Sequence, residues 1–309
     1  MQLSQEQSKN WEWWEQNPMT YDWEQTMHIP AGSREWFEEI DRRFLSASYF
    51  AKGHDGSPFG KFLRPEYVAG KDVLEIGCGM GTHAGLLARS GARLTAVDLT
   101  ERAVQATTRR LETFGLKARI QRADAEKLPF QDASFDLVWT WGVIHHSSRM
   151  ESCLSEIARV LRPGGRLMLM VYYRPCLVYY LHCGLIRGLL LGQLFKKSLH
   201  QIYVDASDGF YARVFNRAEL RDVLSSSFVD IKLTVVGLKA ELFPIPRTRF
   251  KESLEALTPD WLASAVLGRV GSMIVAEAVR TKGLKDYGLR DHRLGGHNFS
   301  ILRLSYLFG

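Results

Sequence analysis

Cysteine is scarce in this chain and follows no pattern. There are four in 309 residues, Cys78, Cys153, Cys176 and Cys183, and no Cys-x-x-Cys pair. That argues against a disulfide-built fold and a thiolate-ligated zinc, so no metal is expected. The expectation is reduced core thiols in a cytoplasmic protein. A basic start followed by an apolar core is also missing: the first residues, MQLSQEQSKNWEWWEQ, are polar and aromatic, and export is not expected. Internal repeats and low-complexity tracts are absent. No block of one charge stands out either, because 40 Lys and Arg are offset by 34 Asp and Glu spread along the chain, for a net +6. Charge alone therefore gives no reason to expect a nucleic-acid partner, and it fits an anionic small molecule or a membrane surface equally well. No Gly-Lys-Ser/Thr follows the glycine-rich turn, which argues against a nucleoside triphosphate.

An uninterrupted membrane span is missing as well. The stretch 167–195 is strongly apolar, but Arg174, Pro175, His182 and Arg187 break it. It reads as a buried strand over Arg166–Tyr173 followed by an amphipathic helix from near Pro175 to about Phe195. That helix would cover an oily pocket or make a weak membrane-surface contact.

What is present is a regular alternation. Apolar runs at Asp72–Ile76, Arg93–Asp98, Ala118–Arg122, Phe135–Thr140 and Arg166–Tyr173 predict strands. Helical patterns at Thr82–Ser90, Glu101–Phe114 and Glu151–Leu161 lie between them, with Thr100 as an N-cap. Strands separated by helices at this spacing make right-handed βαβ units, an α/β fold with a parallel sheet covered on both faces. Asn216 and Glu219 form a capping box that opens another helix, and Phe228–Leu238 and Gly271–Arg280 read as two late strands. Three regions follow: 1–58, an aromatic-rich cap with five tryptophans; 59–280, the main domain, with insertions at about 175–215 and 240–268; and 281–309, a basic tail or homodimer contact.

DVLEIGCGMGT places an apolar strand directly before a glycine turn and a helix directly after it. Gly77, Gly79 and Gly81 let the backbone turn tightly and approach a ligand, and ligands of open α/β sheets bind at the carboxyl ends of strands. The turn alone leaves a dinucleotide in contention. However, Thr82 stands where such proteins place their third glycine. Glu75, just before the turn, would repel a pyrophosphate and attract the ammonium group of an aminoacyl sulfonium nucleoside. Asp98 ends the second strand, where a carboxylate can accept ribose hydroxyls, and Asp124 follows the third, near where an adenine amine would lie. An acid ending a strand can equally be a solvated end or a helix cap; it is the register of all these features that points to a ligand.

VLEIGCGMG at 73–81, AVDLT at 96–100, ADAEKLPF at 123–130, FDLVWTWGVIHH at 135–146 and VLRPGGRLML at 160–169 resemble the class I S-adenosylmethionine-dependent methyltransferases, especially the small-molecule group similar to ubiquinone and menaquinone biosynthesis enzymes. The resemblance covers roughly 70–173. It implies a seven-stranded Rossmann-like sheet of order 3-2-1-4-5-7-6 with strand seven antiparallel, helices on both faces, and N-terminal and inserted lid helices. It also implies S-adenosylmethionine as cofactor. Glu75, Gly77 and Gly79 would contact its methionine part, with Cys78 and Gly81 in the same turn. Asp98 and Leu99 would meet the ribose, Asp124 and Ala125 the adenine, and Trp141 would line the donor pocket.

Methyl transfer needs collinear placement of nucleophile and methyl carbon, and a base only when the acceptor must lose a proton. His145 and His146, just past the fourth strand, are candidates for that base, or they fix a loop; spacing does not choose between them. Trp14, Tyr21, Trp23, Tyr172 and Tyr179 suggest an aromatic wall for a small acceptor, unless they only pack a core. Arg174 would meet an anionic acceptor group or stand on the surface. The Asn/Asp-Pro-Pro-aromatic signature used on exocyclic amines is absent, residues 140–143 reading TWGV, so O-methylation of a small apolar or aromatic molecule is expected. N- or C-transfer to a small or lipid-like acceptor, or a non-catalytic nucleotide-binding or membrane-associated protein, are the alternatives.

Overall fold

The computed structural model describes residues 4–21, 27–246 and 248–281. Its sheet is built from β1 (Asp72–Ile76), β2 (Arg93–Asp98), β3 (Arg119–Arg122), β4 (Phe135–Trp141), β5 (Leu161–Tyr173), β6 (Val214–Phe215), β7 (Phe228–Val236) and β8 (Met273–Arg280). The order is β3-β2-β1-β4-β5-β8-β7, with β6 paired to the end of β5. The first five strands run parallel, and β8 is antiparallel to both its neighbours. With the two-residue β6 set aside, this is the order the resemblance implied. The fold is therefore a Rossmann-like α/β sheet.

Alternation of side chains along the strands creates two cores, one on each face. Leu74, Ile76, Val138, Leu169 and Val171 pack on one side with Cys153 and Ile157 of α6 (Met150–Val160). Val73, Leu137, Trp139, Met168 and Met170 pack on the other with Leu87 of α4 (Thr82–Arg89) and the aromatic residues Phe44 and Phe59. Thr100 caps α5 (Glu101–Thr113), accepting from Ala103 N.

Ahead of β1 the chain folds into helices. α1 (Gln5–Gln16) and α2 (Arg34–Ala47) are capped by Ser4 and Ser33, and a short α3 (Pro65–Val68) follows. Phe37, Ile40 and Phe44 recur at helical spacing and bury one face of α2.

The insertions differ in detail from the expectation. The apolar helix after β5 runs Val178–Leu190 with π-type bonding, and a short 3-10 turn at Gln193–Phe195 folds back on it. Gly188 permits that fold, since a Cβ there would meet Leu194 at 2.9 Å. α7 (Leu199–Val204) and α8 (Arg217–Ser225) follow, α8 with the expected capping box. The second insertion holds two helices rather than one, α9 (Arg249–Leu257) and α10 (Asp260–Val270). β5 also begins earlier than its apolar run. Its pairing with β4 jumps from Phe135–Leu161 to Leu137–Arg166, so the Pro163-Gly164-Gly165 kink is carried as an irregularity within a strand. Within the described residues no helix is long and apolar enough to cross a membrane. The tail after residue 281 lies outside the described residues, as does Trp23.

Candidate active site

A cavity of about 450 Å³ opens at the carboxyl ends of the central strands. Its floor is the turn after β1. Gly77 N and Cys78 N both donate to Val97 O, tying that turn to β2. Gly77 has φ +82°, and a Cβ there would overlap the Val143 side chain, so only glycine fits. Gly79 has φ +51° and nothing within 4 Å of a would-be Cβ, which leaves its backbone bare to the cavity. Gly81 is packed from behind by Thr107 and Arg110 of α5. Arg110 is itself buried: it donates to Met80 O at 3.1 Å and is ion-paired with Asp41 of α2.

Two carboxylates stand at this turn. Asp98 accepts from Gly79 N at 3.0 Å through one oxygen, and from Thr100 N and its hydroxyl at 2.9 and 2.8 Å through the other. Burial holds its carboxyl above the usual range despite these bonds. Glu75 is buried behind the lining residues, and its Oε2 has no hydrogen-bond partner. Burial, and then the charge of Asp98, push its carboxyl up to about 8, with Arg110 opposing. A buried, unsatisfied carboxylate oxygen close to a second acid is costly unless a cation arrives. The site is thus acidic and cradled by backbone. These residues fit an ammonium-bearing nucleoside and would repel a pyrophosphate.

Cys78, Gly79, Leu99 and Ala125 line the cavity, as does Trp141, which stacks on Trp139 at 5.7 Å between ring centroids. Asp124 does not reach it. Its carboxylate accepts from Gln7 Nε2 of α1 at 3.1 Å and from Glu126 N at 3.0 Å, while its neighbours Ala123 and Ala125 form the wall.

The two histidines separate sharply. A 3-10 turn at Ile144–His146 sends them in different directions. His146 lines the cavity. Its Nδ1 lies 2.6 Å from Tyr211 O, and because a carbonyl only accepts, Nδ1 carries the proton and Nε2 keeps its lone pair. Nε2 is buried and has no hydrogen-bond partner among the described residues. Burial lowers this imidazole to about 4, so it is neutral near pH 7. His145 lies fully buried behind it, 4.2 Å from the His146 ring and 4.3 Å from that of Tyr172, with neither nitrogen bonded. Burial, and then the neighbouring His146, hold it well below the usual imidazole range.

Of the aromatic residues, Trp14, Tyr21 and Tyr172 line the cavity, Trp14 edge-on to His146 at 5.2 Å. Tyr179 is buried beside Tyr203, behind the wall. Arg174 points instead to an ion pair with Glu219 of α8.

Sequence reasoning missed several lining groups. Gln7 and Asn10 of α1 reach the cavity, and Asn10 Nδ2 donates to His146 O. His83 lines it with both ring nitrogens buried and unbonded. Glu241, raised by burial to about 7, accepts from Ser272 N and its hydroxyl. Asp208, in the Asp205–Gly209 loop, has its carboxyl raised by burial. Next to Asp208, Gly209 packs so closely on the site that a Cβ there would come 2.6 Å from His146 Nδ1.

Comparison with known proteins agrees with this geometry. Residues 74–169 match the methyltransferase-domain family. That stretch is similar to the methyltransferase domains of small-molecule enzymes, a demethylmenaquinone methyltransferase among them. The chain is similar to the demethylmenaquinone methyltransferase of Tropheryma whipplei (strain Twist), with 33% identity over 139 residues, 45% of this chain and 56% of that protein. It is 43% identical over 100 residues to the fatty-acid O-methyltransferase of Mycolicibacterium smegmatis (strain ATCC 700084 / mc(2)155), 32% of this chain and 36% of that one. The alignments thus span about a third to a little over half the length of these curated relatives. In fold it is similar to a chain from the complex between the Haloferax volcanii Trm112 methyltransferase activator and a methyltransferase. The TM-score is 0.53 at 18% identity, covering 86% of this chain and 99% of that one.

Proposed function

We propose that this chain transfers a methyl group to a small, largely apolar or aromatic molecule in the cytoplasm, with a hydroxyl oxygen as the acceptor atom. Bound at the Gly77–Gly81 turn, S-adenosylmethionine supplies a methyl group on a sulfonium, whose departure as a neutral thioether asks for no anion stabilisation. The chain's own work is to place the acceptor and remove its proton. Asp98 would hold the donor's ribose, Glu75 behind the lining would lend its charge to the ammonium group, Leu99 and Trp141 would line the donor's side, and Trp14, Tyr21 and Tyr172 would pack the acceptor. His146 takes the acceptor proton at Nε2. The observation that carries this reading is the tautomer of His146, a residue of the cavity lining: one nitrogen is committed to a carbonyl, and the other keeps a buried lone pair with no partner among the described residues. A mostly apolar cavity of this size suits a small molecule.

Transfer to carbon is the second reading, and the similarity to a demethylmenaquinone methyltransferase supports it. One experiment addresses both. The purified chain is given methyl-labelled donor with phenols, long-chain carboxylic acids and quinols, and the products are identified by mass. Label in an ether or ester supports oxygen transfer, and label on a ring carbon supports the second reading. Absence of donor binding by calorimetry would sink both.

A further inference from the structure

The segment between Arg174 and Asp205 contains no aspartate or glutamate. It nevertheless exposes a run of large apolar side chains to solvent: Leu189 at 63%, Leu190 at 72%, Leu191 at 67% and Phe195 at 92%. Among the described residues nothing covers them. They sit on the last turn of the Val178–Leu190 helix and the short turn after it, and Lys196 stands exposed directly beyond. Contiguous apolar surface of this kind marks a contact site rather than ordinary surface scatter. The second insertion also exposes Phe250, Leu257 and Trp261, but Glu252, Glu255 and Asp260 stand among them, so the acid-free surface is that of the first insertion alone.

The charges select among partners. The charged side chains that accompany the leucines in this segment, histidine aside, are all basic: Arg187, Lys196 and Lys197. Lys197 is tied to Asp205 at 2.6 Å, which leaves Lys196 and Arg187 as the cations at the patch with no ion pair among the described residues. Leucine and phenylalanine tips bordered by lysine and arginine, without acids, complement an acyl layer beneath anionic headgroups. The same segment also builds the cavity. Val178, the first residue of the helix, lines it, and so does Tyr203 of α7.

We propose that Leu189–Lys196 docks this protein onto the surface of an anionic bilayer, seating its leucines and Phe195 among the acyl chains without spanning them. An apolar acceptor dissolved in that bilayer then lies next to the segment that walls its cavity; this last consequence rests on the reading of the acceptor as apolar.

The test is flotation of the full chain with vesicles of phosphatidylcholine alone and of phosphatidylcholine with phosphatidylglycerol. Vesicles containing phosphatidylglycerol are expected to carry the protein up the gradient, less so as salt is raised, and phosphatidylcholine alone should carry little. Leu190→Asp with Phe195→Asp should lower the partition coefficient by about tenfold or more, and Lys196→Glu should weaken only the anionic-lipid component. Calorimetry with S-adenosylhomocysteine must show the donor site unchanged in these variants, so that loss of fold is recognised as such. The proposal fails if the wild type stays at the bottom with both vesicles, or if the double variant floats as well as the wild type. It also fails if the wild type does not float and sedimentation velocity shows the double variant turning a dimer into a monomer; the patch would then belong to a second copy. Flotation without S-adenosylhomocysteine binding would overturn the methyl-transfer reading and leave the docking intact.

Discussion

The two halves of the cavity are made by different means. The half proposed for the donor is largely backbone: a turn held by Gly77 N and Cys78 N on Val97 O, an uncrowded Gly79, and carboxylates fixed at strand ends. The half proposed for the acceptor is side chain, gathered from places far apart in sequence: Trp14, Tyr21, His146, Tyr172 and Asp208. Backbone geometry at a strand end is fixed by the sheet itself, so the first half can keep one ligand while the second is rebuilt for another.

The largest expected effect separates the halves outright. His146→Ala should lower kcat by about a hundredfold or more and leave affinity for S-adenosylhomocysteine unchanged by calorimetry. His145→Ala should instead lower thermal stability, as loss of a fully buried ring does. If His146→Ala weakens donor binding as much as turnover, the division is false. Next comes Gly77→Ala, which should cost about 2 kcal/mol or more in denaturant unfolding, because it combines a left-handed φ with overlap at Val143. Adding Val143→Ala should recover only the overlap. Asp98→Ala should weaken donor affinity by more than about tenfold (about 1.4 kcal/mol), with kcat at saturating donor much less affected.

Acidity offers a subtler contrast. His146 is held at about 4 when folded, below the ordinary imidazole value, so the unfolded chain binds more protons between the two. Its contribution to stability is present above the ordinary value, about 6.5, and is lost as pH falls toward 4. Denaturation midpoints should therefore drop across that window, and drop less steeply in His146→Gln. Glu75 acts on ligand binding in the same direction but over a higher pH range. It is protonated below about 8 in the free protein, so binding of a cationic donor should release a proton and tighten as pH rises toward 8. Calorimetry in buffers of differing ionisation heat reads that proton. The smallest effect is Gln7→Ala, a few-fold loss of donor affinity, measured the same way.

How much was legible follows the same division. The strands and the glycine turn were readable because apolar runs, helix caps and glycine spacing are local signals, whereas the strand order came only with the family resemblance. Asp98 was readable because it ends a strand whose direction the pattern fixes. Asp124 was found as a position, yet its carboxylate turns to Gln7, a partner 117 residues away that no local pattern announces. Adjacent histidines could not be told apart until the 3-10 turn at Ile144–His146 aimed only one of them at the cavity. Asp208 and Glu241 lie in insertions, where no sheet register constrains which way a side chain faces. Arg174 looked available until α8 supplied Glu219.

Helix α1 belongs to both halves at once. Gln7 holds the carboxylate beside the donor wall, and Asn10, one turn further along, holds the carbonyl of His146. A helix that moves as a unit cannot adjust at one end alone. Whatever free energy the donor contributes to acceptor binding through this helix, the acceptor must return to donor binding in equal measure.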